Sequence, residues 1–237
     1  MIRVAHLERR AALVDGLQGR DLSGRDLKGM NFAKANLEGA NLSEANLSGA
    51  NLSEANLSGA ILTGAILRGA ILTGANLTGA ILEEAILKGA DLEEAILKGA
   101  DLKGATLEES VLRGADLTKA ILFGTNSRQI DLTGANLSEA TLEYSDMREA
   151  DLTGINLRGA SMKRVNLTDA DLEGANLEGA NLMGAYLLEA NLTGVNLKGA
   201  NLKGGYFEKA NPAGATYDDS TILPYLTPSQ LASMIKV

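Results

Sequence analysis

Enzymatic chemistry needs a nucleophile with a base, a metal cage, or carboxylates with separated pKa values. This chain holds no cysteine and one histidine, His6, with no partner for catalysis or metal binding near it in sequence. Without cysteine, neither a disulfide framework nor a thiolate metal site is possible. The glycines recur at five-residue spacing, so they read as corner residues and not as a phosphate-binding loop. No catalytic residue, cofactor or metal is therefore expected, and the protein is expected not to be an enzyme. What remains is binding chemistry, carried by residues that break the surrounding pattern. These are Ile61, Ile66, Ile81 and Ile86, then Phe123, Asn126 and Arg128, then Asp131, Asp151 and Asp171.

All of these sit within a five-residue period, seen most plainly as ANLEG-ANLSE-ANLSG-ANLSE-ANLSG from Asn36 and its preceding alanine onward. The leucine slot recurs 38 times between Leu22 and Phe207, with Leu in 33, Phe in two, Met in two and Ser127 in one. On an α-helix a five-residue step turns about 500°, so the leucines would drift by about 140° and form no stripe. In a flat strand an odd step sends successive leucines to opposite faces. The chain must instead turn a corner once per repeat so that every leucine points to one axis. Alanine two places earlier shares that inward face. The corner, two places after leucine, is Gly in 23 of the 38 repeats, as a turn with φ > 0 favours. Exceptions such as Glu44, Glu84 and Lys119 are expected to use a type I-like turn.

Charges set the number of sides. Among residues just after leucine, a separation of 20 gives seven opposite pairs and two like ones. Separations of 15 and 25 give six against five and four against three. An exposed pair contributes only about 0–1 kcal/mol, yet the balance favours four sides per turn.

The tandem A(N/D)LXX motif, over about four-fifths of the chain, resembles the pentapeptide-repeat family, in its Leu-centred, Asn-rich, cyanobacterial style. The resemblance implies an all-β solenoid: a right-handed quadrilateral parallel β-helix of 20-residue coils. Thirty-eight repeats then make nine to ten coils and a rod on the order of 45 Å long.

Residues 1–16 are expected to form an N-terminal capping helix, with Val4, Leu7, Ala11 and Val14 on one face. The β-helix is expected over 17–211. Isoleucine takes the slot before the leucine at Ile61, Ile66, Ile71, Ile81, Ile86, Ile96 and Ile121, so Ile61/Ile81 and Ile66/Ile86 stack as two ladders on neighbouring faces. Contiguous apolar surface of this kind marks a partner site, although β-branched residues also simply suit a pleated face. At 123–130, Ser127 in a leucine slot predicts a break, either a projecting bulge or loop or one distorted repeat, presenting Phe123, Asn126 and Arg128 for recognition. Asp131, Asp151 and Asp171 predict an acidic ladder, and Tyr186 and Tyr206 a stacked pair. Pro212 is expected to end the coil. Residues 212–237 then form a C-terminal cap in which Tyr217, Ile222, Leu223, Tyr225 and Leu226 cover the open end. A short helix at 228–235, opened by Thr227-Pro228-Ser229-Gln230, turns Leu231 and Met234 inward.

The formal charge of −8 and 3% aromatic content argue against direct nucleic-acid binding. No run of 18 apolar residues suggests a membrane span, and the N-terminus is too charged for a secretory signal, so a cytoplasmic protein is expected. The expected function is a protein-binding scaffold or regulator presenting flat faces, as a monomer or an end-to-end homodimer. The resemblance supplies an alternative, a DNA-mimic inhibitor of a type II topoisomerase, although Lys and Arg here alternate with Glu and the family's mimics are richer in Phe. A third reading is a purely structural or engineered solenoid.

Overall fold

Backbone hydrogen bonding explains why this repeat builds a coil. In a computed structural model, which describes residues 16–237, each repeat pairs with the repeats 20 residues before and after it. Asn41 N–H donates back to the Arg20 carbonyl (2.8 Å), while Leu42 and Glu44 N–H donate forward to Ile61 and Thr63 (2.7 and 2.9 Å). Ala45 N–H closes the corner on the Leu42 carbonyl (3.0 Å). The remaining N–H, on Ser43, donates to Asn41 Oδ1 at 3.1 Å. Asparagine or aspartate before the leucine thus supplies the acceptor that the ladder lacks. Where isoleucine takes that slot, as at Ile61, this side-chain acceptor is missing.

The pairings run parallel and unbroken from Asp21↔Asn41 to Asn196↔Thr216, so the coil has four sides of five residues. Inside, the leucines and alanines from Leu37 to Leu107 are all 0–1% exposed. Outside, asparagines on one side form a polar ladder: Asn156 Nδ2 donates to Asn136 Oδ1 (3.0 Å) and Asn196 Nδ2 to Asn176 Oδ1 (3.1 Å).

The corners differ from expectation. Every corner from Gly19 to Gly214 takes φ between +54° and +70°, and fifteen are not glycine. Glu44, Glu84 and Lys119 have φ of +58°, +57° and +61°, so they share the glycine geometry and not a type I-like turn. The left-handed conformation costs an L-residue about 1–2 kcal/mol, less than breaking the ladder on either side would cost.

The expected break at 123–130 is absent. Ser127 lies fully buried in regular coil, donating its N–H to Asp146 O (2.8 Å) and its hydroxyl to Thr125 Oγ1 (3.0 Å). Two inward slots beside it, usually alanine, hold Thr125 and Ile130, both buried. The volume lost at Ser127 is regained next door, so no loop is needed. The corner between them is stretched, with Ile130 N–H 3.4 Å from the Ser127 carbonyl against 3.0 Å for Ala40 on Leu37.

Pro212 does not end the coil either. It is buried in a leucine slot, and the chain stays in register to Thr216. The ladder resumes two residues on, where Gly214 N–H donates to the Ser233 carbonyl (2.8 Å), so the N–H missing at 212 costs the coil one bond at its end. The tail then forms β1 (Thr216–Tyr217), α1 (Pro228–Ser233) and β2 (Ile235–Lys236), with β1 and β2 parallel. α1 is shorter than the expected 228–235, and Ile235 and Lys236 are extended. Its capping box forms as read: Gln230 N–H donates to Thr227 Oγ1 and Thr227 N–H to Gln230 Oε1. Tyr217, Leu223, Leu226 and Met234 pack partly against the core, while Ile222, Tyr225 and Leu231 are exposed, contrary to expectation. The proposed capping helix at 1–16 and His6 lie outside the described residues, save residue 16.

Candidate functional site

With four sides of known register, the sequence candidates fall on different faces. Ile61 pairs with Ile81 and Ile66 with Ile86, giving the two expected ladders. Ile61 and Ile81 are exposed, whereas Ile66 and Ile86 are half-buried. Asp131, Asp151 and Asp171 also pair in sequence, on the side opposite Ile61 and Ile81, two corners round the coil. No single partner footprint on one face therefore holds both sets. Asp131 is neutralised in place by Arg113, whose Nε donates to Oδ2 at 2.6 Å. Burial raises the Asp131 pKa, but hydrogen bonds from Thr133 and Arg113 outweigh it and hold the carboxyl below its ordinary range. Asp171 accepts from Asn191 Nδ2 (2.9 Å).

Phe123, Asn126 and Arg128 do not share a loop. Phe123 stands on one corner and Arg128 beside the next, where it pairs with Glu149 (3.2 Å). Asn126 Oδ1 is buried between them without a hydrogen-bond partner.

Three of the seven counted charge pairs lie within ion-pair distance: Lys88–Glu108, Lys163–Glu143 and Arg158–Glu178. Others reach diagonally, as Lys98 does to Asp116 (3.1 Å).

Phe123 instead begins a strip that the individual residues did not reveal. Its ring lies 5.5 Å from that of Tyr144, and the Arg164 guanidinium stands 5.9 Å over the same Tyr144 ring. Tyr144 and Arg164 occupy successive corners of one edge, where Gly184 and Gly204 follow. The two glycines leave a groove whose walls are Arg164, Met183, Lys203, Tyr186 and Tyr206. Tyr186 and Tyr206 stack with centroids 4.9 Å apart and planes 6° off parallel, as their spacing of 20 predicts. The groove's walls carry no carboxylate, and neither Arg164 nor Lys203 forms an ion pair among the described residues. On a chain of charge −8 this is a local cationic, aromatic surface. The missed residues are Tyr144, Arg164, Met183 and Lys203, and their signal is two adjacent columns, each spaced by 20, that only the side count makes visible.

A second cleft, of about 510 Å³, opens under the last coil between residues 205–210 and Tyr225, Thr227, Ser229 and Gln230. Tyr206 borders both clefts. Neither encloses a set of acid, base and nucleophile. Among the described residues, no group of three or more His, Cys, Asp or Glu is arranged to hold a metal ion. No helix there is long and apolar enough to cross a membrane.

A model of pentapeptide repeats matches the chain in eight copies, over residues 17–49, 50–89, 85–124, 145–184 and 166–204. The unmatched 125–144 begins at the substituted interior around Ser127. Among solved structures, the chain is similar to HetL, a pentapeptide-repeat protein involved in the regulation of heterocyst differentiation in the cyanobacterium Nostoc sp. strain PCC 7120. They share 36% identity over 87% of this chain and 91% of HetL, with a TM-score of 0.67. A pentapeptide-repeat protein of the Arabidopsis thaliana thylakoid lumen is 32% identical over 47% of this chain and 74% of its own, at a TM-score of 0.41. QnrB1, a plasmid-mediated fluoroquinolone resistance protein, is 20% identical over 90% and 92%, at a TM-score of 0.34. No curated protein sequence matches the chain. The family match and the likeness to HetL give the coil its hand, that of a right-handed quadrilateral β-helix.

Proposed function

The chain belongs to the pentapeptide-repeat family, and from that we propose that it is a non-enzymatic protein-binding rod, a scaffold or regulator that acts by presenting its outer faces to a partner. The observation that carries this reading is the alignment of Phe123, Tyr144, Arg164, Met183, Tyr186 and Tyr206 along one edge. Aromatic, Met and Arg side chains are the types enriched where proteins meet. Here they gather outside, while the inside is filled by leucine and alanine. Extensive similarity to HetL, itself involved in regulation, supports a regulatory use.

The test is capture of a partner by the full chain from a lysate of its source organism, compared across variants. Tyr186→Ser with Tyr206→Ser should lose the captured protein. Ile61, Ile66, Ile81 and Ile86 changed to Asn should lose it only if the isoleucine ladders take part. Capture unchanged by both sets would remove both faces from consideration. DNA mimicry requires a one-sided acidic surface, whereas Lys88, Arg113, Arg128 and Lys163 here pair with the carboxylates beside them. Full gyrase supercoiling at high concentrations of the protein is the outcome expected on the scaffold reading.

A further inference from the structure

The tail closes three sides of the last coil and leaves the fourth open. Beneath residues 196–200 runs the segment from Thr216, whose carbonyl accepts from Leu197 N–H at 2.8 Å. Beneath 201–205 lies Ile222, accepting from Leu202 N–H at 2.8 Å. Beneath 211–215 lies Ser233, whose carbonyl accepts from Gly214 N–H at 2.8 Å, and the chain runs on as β2 beneath β1, with Ile235 N–H on the Ala215 carbonyl at 2.8 Å. Under 206–210 no backbone ladder follows: the Gln230 side chain reaches up, and Tyr225, Thr227 and Ser229 line a cleft.

Toward the coil above, the Gln230 side chain serves acceptors alone. Gln230 Nε2 donates to the Phe207 and Ala210 carbonyls at 2.9 and 3.0 Å. The donors of the same side stay open. In every earlier coil the N–H groups equivalent to Phe207 and Lys209 donate to carbonyls two residues apart in the next coil, as Leu187 and Glu189 do to Tyr206 and Glu208. Phe207, Glu208 and Lys209 N–H have no such partner among the described residues. The third is open because Tyr206 stands where Asn would supply its acceptor. These groups border the 510 Å³ cleft, walled by the exposed Tyr225 and by Thr227 and Ser229.

We propose that this open side takes an extended, acidic peptide segment of a partner protein, added as a strand beneath Tyr206–Ala210 in parallel register. Strand addition to an unpaired edge is a general mode of peptide recognition, in which backbone bonds give affinity and side-chain pockets give selectivity. The ladder sets the chemistry: two carbonyls two residues apart for Phe207 and Lys209 N–H, and an inward apolar side chain between them against Phe207. A carboxylate in the peptide meets the Glu208 N–H within the cleft, and one carried past Gly205 into the adjoining groove meets Lys203, which forms no ion pair among the described residues. Arg164 continues the positive charge up the adjoining groove. This assignment rests on the rod being a protein-binding body.

The test is selection of twelve-residue peptides displayed on phage against the immobilised full chain, followed by amide hydrogen exchange with the selected peptides. The expected result is enrichment of acidic sequences that slow exchange at Phe207 and Lys209. Their affinity should fall by about tenfold or more in Lys203→Glu. Glu208→Pro should weaken them as well, because proline suits this turn position and removes the open N–H, whereas Glu208→Gln should not. Peptides that bind Lys203→Glu equally and leave those amides unprotected would overturn the proposal, as would no enrichment. It would also fall if dT12, or a second copy of the chain, protected the same amides more tightly. Partner capture by the wild type separates the two readings: capture retained in Lys203→Glu and Glu208→Pro keeps the scaffold function and discards only this cleft.

Discussion

Gly205 is placed so that a Cβ on it would come within 3.1 Å of Phe207 Cε2. Alanine is the usual residue at that inward slot, and leucine the usual residue where Phe207 stands. The larger ring is therefore matched by a smaller neighbour, the reverse of the exchange at Ser127. Gly205→Ala should destabilise the C-terminal end by about 1–3 kcal/mol through overpacking. Adding Phe207→Leu should recover most of it, and urea midpoints of the two single variants and the double variant read the coupling.

At Gly79, φ is +63° and a Cβ would meet nothing within 4 Å. A substitution there has a conformational cost without a steric one. Gly79→Val should cost about 1–2 kcal/mol, and Gly79→Asn less, since Asn tolerates the left-handed region. Equal midpoints for the two would mean that the corner is not held at positive φ.

Ser127→Leu restores the period but should destabilise, by about 1–3 kcal/mol, because Thr125 and Ile130 already fill the interior around it. Combining it with Ile130→Ala should bring the thermal midpoint back toward wild type. A rise in midpoint from Ser127→Leu alone would show an unfilled space there.

Asp218 anchors the tail to the last coil. Its carboxylate accepts from Ser220 Oγ (2.7 Å), Ser220 N–H, Gly199 N–H and Thr221 Oγ1. The Ser220 hydroxyl bond leads the causes that lower its pKa from 3.8 to about 2. A carboxyl lowered on folding stabilises above its unfolded pKa, and that stabilisation is lost as pH falls through its folded pKa. Exchange at Gly199 and Ser220 amides should therefore quicken as pH drops from about 4 to about 2, after correction for the intrinsic rate. Asp218→Asn should raise exchange at neutral pH and flatten this dependence.

Much of the fold was legible because a five-residue apolar period has one geometric solution. Leu37, Leu42 and Leu47 announce the axis, and the charges announce four sides. Only some of those charges pair as counted, because long side chains also reach diagonally, as Arg113 does to Asp131. Glu44 and Lys119 misled because the cost of a left-handed corner is small beside the ladder it completes. Ser127 misled because volume is conserved among neighbouring slots and not within one. At the candidate site, the Ile61/Ile81, Ile66/Ile86 and Asp131/Asp151/Asp171 ladders follow from spacing alone. The Tyr144–Arg164 edge required side chains from different slots to be placed on one corner. The open donors at Phe207 and Lys209 depend on the path of the tail, which no repeat encodes.

From Asp21↔Asn41 to Asn196↔Thr216 each coil bonds only to the one before and the one after it, at a separation of 20 residues. Mechanically, the rod is a series of like links, and among the described residues no element ties its ends together. Tension between the termini loads the outermost ladder first, and a coil that yields releases 20 residues, roughly 66–72 Å of extended chain. The rod thus lengthens in even steps from its ends while the links between them keep their form.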